Sequence, residues 1–204
     1  MVTQPVIEFI FDFASPNGYL AYRALPPILK RTGARVEIIP CLLGGIFKAT
    51  NNRSPIVAFA EVKGKVGYEM LEIRRFVDRH KINFRMNPHF PVNSLTLMRA
   101  FVAAQDAGEE ADFIEMGLKG MWEDGLKLDD PDVLKQAIDA AGLDGAGLLA
   151  AAQTDRVKKK LADNTAAAVA RGVFGLPTFF VGSEMFWGKE RLPQVEEAVL
   201  ALAA

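Results

Sequence analysis

The sequence predicts an α/β fold, a mixed four-stranded sheet interrupted by a large all-helical insertion. Three observations predict it. Strand patterns occur near both ends of the chain, and none occurs from Pro55 to about Gly172. The first two strands are joined by a helix, as a parallel pair requires. The last two are joined by a two-residue turn, as an antiparallel pair allows.

The first strand runs from Val6 into Phe13. Ile7, Phe9, Phe11 and Phe13 share one face at period two, and Val6 and Ile10 lie on the other. A strand apolar on both faces is expected to be central and parallel. Ser15 then stands where a helix N-cap belongs, with Pro16 at the first helical position. Residues 16–32 form the first helix, closed by Gly33, and Pro26-Pro27 kinks or breaks it near Leu25. Val36 to Pro40 is the second strand and completes a right-handed β-α-β unit.

Gly44 to Pro55 is polar and turn-rich around Ile46-Phe47. Val66, Met70, Ile73 and Val77 recur at helical spacing and predict a helix over roughly 57–80. Arg85 to Val92 carries Pro88 and Pro91 and reads as a loop. Asn93 or Ser94 caps a helix to Ala107, and Glu109 to Asp124 is another, with Phe113, Met116 and Met121 inward. Asp130-Pro131 opens a helix that Gly142 stops, and Asp144 to Gln153 is short and alanine-rich. Thr154 caps a helix over 155–171 whose run Arg156, Lys158, Lys159, Lys160 reads as a solvated face.

Strands return at Pro177 to Gly182 and Glu184 to Trp187, joined by a Gly182-Ser183 hairpin turn. Arg191 to Leu202 is an amphipathic helix with Leu192, Val195, Val199 and Leu202 buried. Without the helical block, β-α-β-α-β-β-α remains, which is the thioredoxin arrangement. The chain is therefore expected to divide into a discontinuous thioredoxin-like domain, 1–45 and 155–204, and a helical insertion domain, 46–154.

Composition excludes several classes. The chain has 204 residues, is 50% hydrophobic and 24% charged, and resembles ordinary globular proteins. With 24 basic and 25 acidic residues its net charge is −1, so it offers no field to recruit nucleic acid or an acidic membrane. No apolar run approaches about 18 residues, so no membrane span is expected. No basic region precedes the first apolar run, and Glu8 and Asp12 interrupt it, so a cytoplasmic location is expected rather than export. Cys41 is the single cysteine, which excludes an intramolecular disulfide and any Cys-x-x-Cys motif. His80 and His89 lack ligand spacing, and no metal is expected.

The Ser15 hydroxyl faces the free N–H groups and positive end of its helix, a favourable place for an anion. On these residues alone a plain N-cap, which is common, and an anion site both stand. Three stretches then line up. They are Phe11-Asp12-Phe13-Ala14-Ser15-Pro16 with Tyr19-Leu20-Ala21, Leu42 to Lys48 with Asn52, and Gly172 to Val181. Together they resemble the 2-hydroxychromene-2-carboxylate isomerases and the related kappa-class glutathione transferases, both in the DsbA-like branch of the thioredoxin fold. The resemblance runs end to end, through Phe90-Pro91-Val92-Asn93-Ser94-Leu95 and Phe186-Trp187-Gly188. Ser15-Pro16-Asn17-Gly18 occupies the place where redox relatives carry Cys-x-x-Cys, so disulfide exchange is excluded.

The resemblance implies glutathione as cofactor, with Ser15 catalytic and donating a hydrogen bond to its thiolate. It implies a cis Leu176-Pro177 bond whose backbone docks the cofactor, and Asn52 and Lys65 at the cofactor's glycine end or backbone. It implies Lys48, Lys65 or Arg85 as holder of a substrate carboxylate. Lys189 and Glu190 stand where the family carries a small polar residue and Asp for the γ-glutamyl group. Glu190 remains suited to an ammonium, and Lys189 to a carboxylate. Asn17-Gly18 replaces a bulkier pair and is expected to leave room above the thiol. The implied reaction interconverts 2-hydroxychromene-2-carboxylate and trans-o-hydroxybenzylidenepyruvate, a small aromatic substrate, in a homodimer. A kappa-type transferase and a non-catalytic binding module are the alternatives.

Overall fold

The computed structural model describes residues 4–202. Its sheet has the order β2-β1-β3-β4, with β1 Val6–Phe11, β2 Arg35–Pro40, β3 Thr178–Val181 and β4 Glu184–Trp187. The strand apolar on both faces is central, as its pattern predicts. It is parallel to β2, from Val6 opposite Arg35 to Phe11 opposite Pro40, and antiparallel to β3. The first helical stretch breaks into α1 Pro16–Ala24 and α2 Pro26–Thr32, because Pro26 offers no N–H to continue the ladder.

Two local expectations change in the next stretch. The turn-rich segment after β2 contains a helix, α3 Leu43–Ala49. Its start is capped from elsewhere in the chain. Leu42 N–H donates to Thr165 Oγ1 at 2.9 Å and Leu43 N–H to Asp12 Oδ2 at 2.8 Å. Tertiary partners thus override the poor helix propensity of Gly44-Gly45. The helix expected over 57–80 is a short α4, Pro55–Ala58, and then α5, Lys65–His80. Gly64, at φ 83°, lies outside the helical region and separates them.

The insertion continues through α6 Leu95–Ala107 and α7 Glu110–Lys119. Gly120–Asp124 then widens into a π turn rather than continuing α7. α8 Pro131–Ala140, α9 Gly145–Ala151 and α10 Asp155–Ala170 follow, capped by the side chains of Asp130, Asp144 and Thr154. α11 Leu192–Leu202 closes the chain. Leu192, Val195 and Val199 are buried, but Leu202 is 63% exposed, a correction to its expected burial. It ends the helix one turn beyond the stripe that reaches the sheet.

An aromatic cluster joins the insertion to the sheet. Phe13 packs edge-on to Phe11 at 4.9 Å between ring centroids and to Phe101 of α6 at 5.3 Å. Phe113 of α7 stacks on Phe101 at 5.8 Å. The Phe13 carbonyl accepts the Trp122 indole N–H at 2.9 Å. These contacts fix the point where β1 leaves the sheet, two residues before Ser15. The ring of Phe13 lies directly over Gly117, where an added Cβ would fall 2.4 Å from Cε1 and 2.8 Å from Cζ.

Gly117→Ala is accordingly expected to destabilise the protein. Alanine gains about 1 kcal/mol of helix propensity. Overpacking a fixed core ring costs typically about 1–3 kcal/mol, and here the clash is with a ring that its neighbours hold in place. Urea unfolding of the variant should show a lower midpoint at an unchanged slope. A midpoint above wild type would mean that the Phe13 ring has room to move.

Candidate functional site

The ends of β1 and β2 and the loop before β3 open onto a cleft of about 810 Å³. Residues 51–59 cover one side, Val66, Met70 and Ile73 of α5 another, and Phe90 to Ser94 a third. Its wall is mostly apolar. At the rim Phe174 and Trp187 pack against each other, 4.9 Å between centroids and 52° between planes.

Ser15 sits in the floor of this cleft, 3% exposed. Its backbone is extended, at φ −92° and ψ 109°, as an N-cap requires. The hydroxyl oxygen accepts the Gly18 N–H at 3.0 Å, and the hydroxyl donates to the Leu176 carbonyl at 3.3 Å. The cap is therefore real, and the proton has a long bond that a better acceptor can replace. Gly18 fits closely against this arrangement, since an added Cβ would lie 3.1 Å from Ser15 Cβ and 3.3 Å from Oγ. The missing side chain of Gly18 makes room for Ser15 itself.

Leu176-Pro177 is cis. Leu176 lines the cleft and Pro177 does not. The Leu176 carbonyl is engaged by Ser15, while its N–H donates to no protein acceptor among the described residues. Asn17 also lines the cleft, and its Oδ1 is buried without a hydrogen-bond partner. One free donor and one orphaned acceptor beside a hydroxyl suit a peptide-like ligand.

Asn52 lines the cleft and acts as a clamp. Its Nδ2 donates to the Phe174 carbonyl at 2.8 Å and its Oδ1 accepts the Arg53 N–H at 2.8 Å. Lys65 stands outside the lining, with its ammonium 2.8 Å from Glu69 and 5.1 Å from the Phe59 ring centroid. Both of those partners line the cleft. The structure does not bring Lys48, Arg85 or Glu190 into the lining. Lys48 is exposed on α3 beside Phe47, which does face the cleft. Arg85 lies against Gly125. Glu190 pairs with Lys189, which is buried and lies 5.4 Å from the Phe76 ring centroid. That pair shares a separate depression of about 350 Å³ with Glu72 and Phe76. The carboxylate that Lys189 meets is thus its own neighbour's.

Two charged residues of the cleft lining went unassigned in the sequence. Asp12 is fully buried in the cleft floor. Its Oδ1 accepts the Ala14 N–H at 2.9 Å and its Oδ2 the Leu43 N–H at 2.8 Å, and the Ser94 hydroxyl faces it. Burial raises its pKa above the ordinary carboxylate value, against the lowering effect of these donors. The signal was a carboxylate closing an otherwise apolar central strand. Arg53 is the second. It is the one basic side chain lining the cleft among the described residues. A polar turn carrying an arginine gives no warning of this.

A match to the DSBA-like thioredoxin domain model spans residues 6–200. The chain belongs to this family. Among DSBA-like relatives, it is similar to the 2-hydroxychromene-2-carboxylate isomerase of Sphingobium xenophagum, 28% identical over 95% of this chain and 97% of that one. It is also similar to glutathione S-transferase kappa 1 of Rattus norvegicus, 26% identical over 92% of this chain and 87% of that one. A solved structure of a 2-hydroxychromene-2-carboxylate isomerase superposes with a TM-score of 0.83 at 25% identity, covering 97% of this chain and 95% of that chain. This DSBA-like chain carries the expected fold. Among its described residues no helix is long and apolar enough to cross a membrane, and no metal-binding cluster occurs.

The buried carboxyl gives a pH signature. The folded state keeps the Asp12 proton above the pH where an unfolded chain releases it, near 3.9. Unfolding in that window releases a proton, so this contribution to stability is lost as pH rises through the folded value. Cys41, the neighbouring thiol, is pushed up to about 12 by burial and by Asp12, and stays protonated throughout. In Asp12→Asn the contribution disappears. Unfolding measured from pH 4 to 8 should show the variant's deficit relative to wild type shrinking as pH rises. A constant deficit would mean that Asp12 titrates normally.

Proposed function

We propose that this chain is a glutathione-dependent isomerase of the 2-hydroxychromene-2-carboxylate type. The single observation that carries the reading is a buried serine hydroxyl, not a thiol, at the N-terminus of α1 in the floor of a large apolar cleft. The isomerase relatives and the kappa-class transferase relatives support it, the second through a name that specifies glutathione.

Glutathione, when bound, supplies a thiolate able to add reversibly to a conjugated carbon, which frees the former double bond to rotate. The chain's own residues do the rest. Ser15 turns its O–H from the Leu176 carbonyl to the sulfur and keeps accepting from Gly18, so the cap survives the exchange. The α1 terminus favours negative charge at that point. A free thiol with pKa near 8.5 is only a few per cent ionised at neutral pH. Lowering that by about two units takes roughly 2.7 kcal/mol. One charge-assisted hydrogen bond at about 1.5–3 kcal/mol and a helix terminus at about 0.3–1 are enough together. Leu176 N–H and the side-chain Oδ1 of Asn17 would hold polar groups of the cofactor. Asn52 keeps the wall over them in place. The apolar lining excludes water from the reacting carbon.

Ser15→Ala should cut glutathione-dependent turnover about 10- to 150-fold at pH 6–7, with partial recovery at high pH where glutathione ionises unaided. The assay follows the absorbance change between the chromene and benzylidenepyruvate forms. Full activity with an unchanged pH profile would leave Ser15 a helix cap only. Net consumption of glutathione during turnover would replace the isomerase by a conjugating transferase.

A further inference from the structure

We propose that Arg53 receives the carboxylate of an anionic aromatic substrate and thereby sets the charge preference of the cleft. This rests on reading the cleft as the reaction site. Three observations carry it. Among the described residues Arg53 is the one cation in the lining. Its guanidinium makes no ion pair or hydrogen bond within the described chain, whereas Lys65, the next cation, is held by Glu69. Its backbone is tethered to an aromatic platform through Asn52, which accepts the Arg53 N–H and donates to the Phe174 carbonyl. Phe174 in turn packs on Trp187. Arg53 lines the same cleft as that pair, so a planar apolar body laid against the pair shares the cavity with an unpaired guanidinium.

The electrostatics point the same way. Asp12, the acid of the cleft floor, is fully buried, and its two oxygens accept the Ala14 and Leu43 N–H groups. Glu69 is neutralised by Lys65. An anionic substrate entering this lining finds one uncompensated positive charge. A guanidinium also suits a carboxylate geometrically, since its parallel N–H groups match the two oxygens. Lys48 and Arg85, the other basic candidates for this role, do not reach the lining.

The test measures binding, separately from turnover. The probes are trans-cinnamate and its neutral counterpart trans-cinnamamide, titrated calorimetrically into the full chain without glutathione. Wild type should bind cinnamate about tenfold or more tightly than the amide. Arg53→Gln should bring cinnamate down to the level of the amide and leave the amide unchanged, and Arg53→Lys should fall between. Cinnamate affinity unchanged in Arg53→Gln would overturn the proposal. So would a loss of glutathione affinity in place of cinnamate affinity, which would assign Arg53 to the cofactor's carboxylate. Failure of wild type to prefer cinnamate over the amide would overturn it too. Arg53-dependent cinnamate binding in a protein that isomerises nothing would support the proposal while removing the isomerase reading.

Discussion

The cleft depends on one buried carboxyl group. Asp12 ends the central strand and has no counter-ion, so its stability in the fold comes from hydrogen bonds. Those bonds reach three places. Ala14 belongs to the turn that presents Ser15, Leu43 begins α3, and Ser94 stands before α6. The two β-α connections and the insertion therefore meet at one side chain. An apolar residue of similar size would leave two buried N–H groups without acceptors, at about 1–3 kcal/mol each. The aromatic contacts of Phe13 act one residue further on, from the opposite side, so the chain entering α1 is held from both directions.

Ser15 splits its hydrogen bonding between two parts of one hydroxyl. Its oxygen is committed to the helix and its proton is not. The bond to the Leu176 carbonyl is at the long end for an O–H donor. A thiolate would offer a charged acceptor, and that exchange would leave the helix cap untouched. Both readings of Ser15 that the sequence left open, cap and anion site, are compatible because they use different parts of the hydroxyl.

The fold was legible where local pattern decides structure. Period-two apolar residues in β1, the Pro26 break and the Asp130 and Thr154 caps all appear where the sequence puts them. α3 was illegible because its capping partners, Asp12 and Thr165, lie far away in sequence. The candidate site divides in the same way. Ser15, Leu176 and Asn52 are carried by local motifs and line the cleft. Lys48, Arg85 and Glu190 were charged residues near such motifs, and which face they occupy depends on packing that no local pattern encodes. Asp12 was visible as an acid in an apolar strand. Arg53 was visible only once the 51–59 segment was folded over the cleft.

The cover of the cleft has one further consequence. Ile56 and Phe59 line the cavity yet remain 41% and 38% exposed, and Phe174 and Trp187 at the rim are 37% and 48% exposed. This is apolar surface that the chain itself leaves wet. A flat hydrophobic ligand seated between these side chains removes their hydration along with its own. Heat capacity then falls on association, and the enthalpy of binding grows more favourable with rising temperature. A molecule seated there would complete part of the chain's hydrophobic interior.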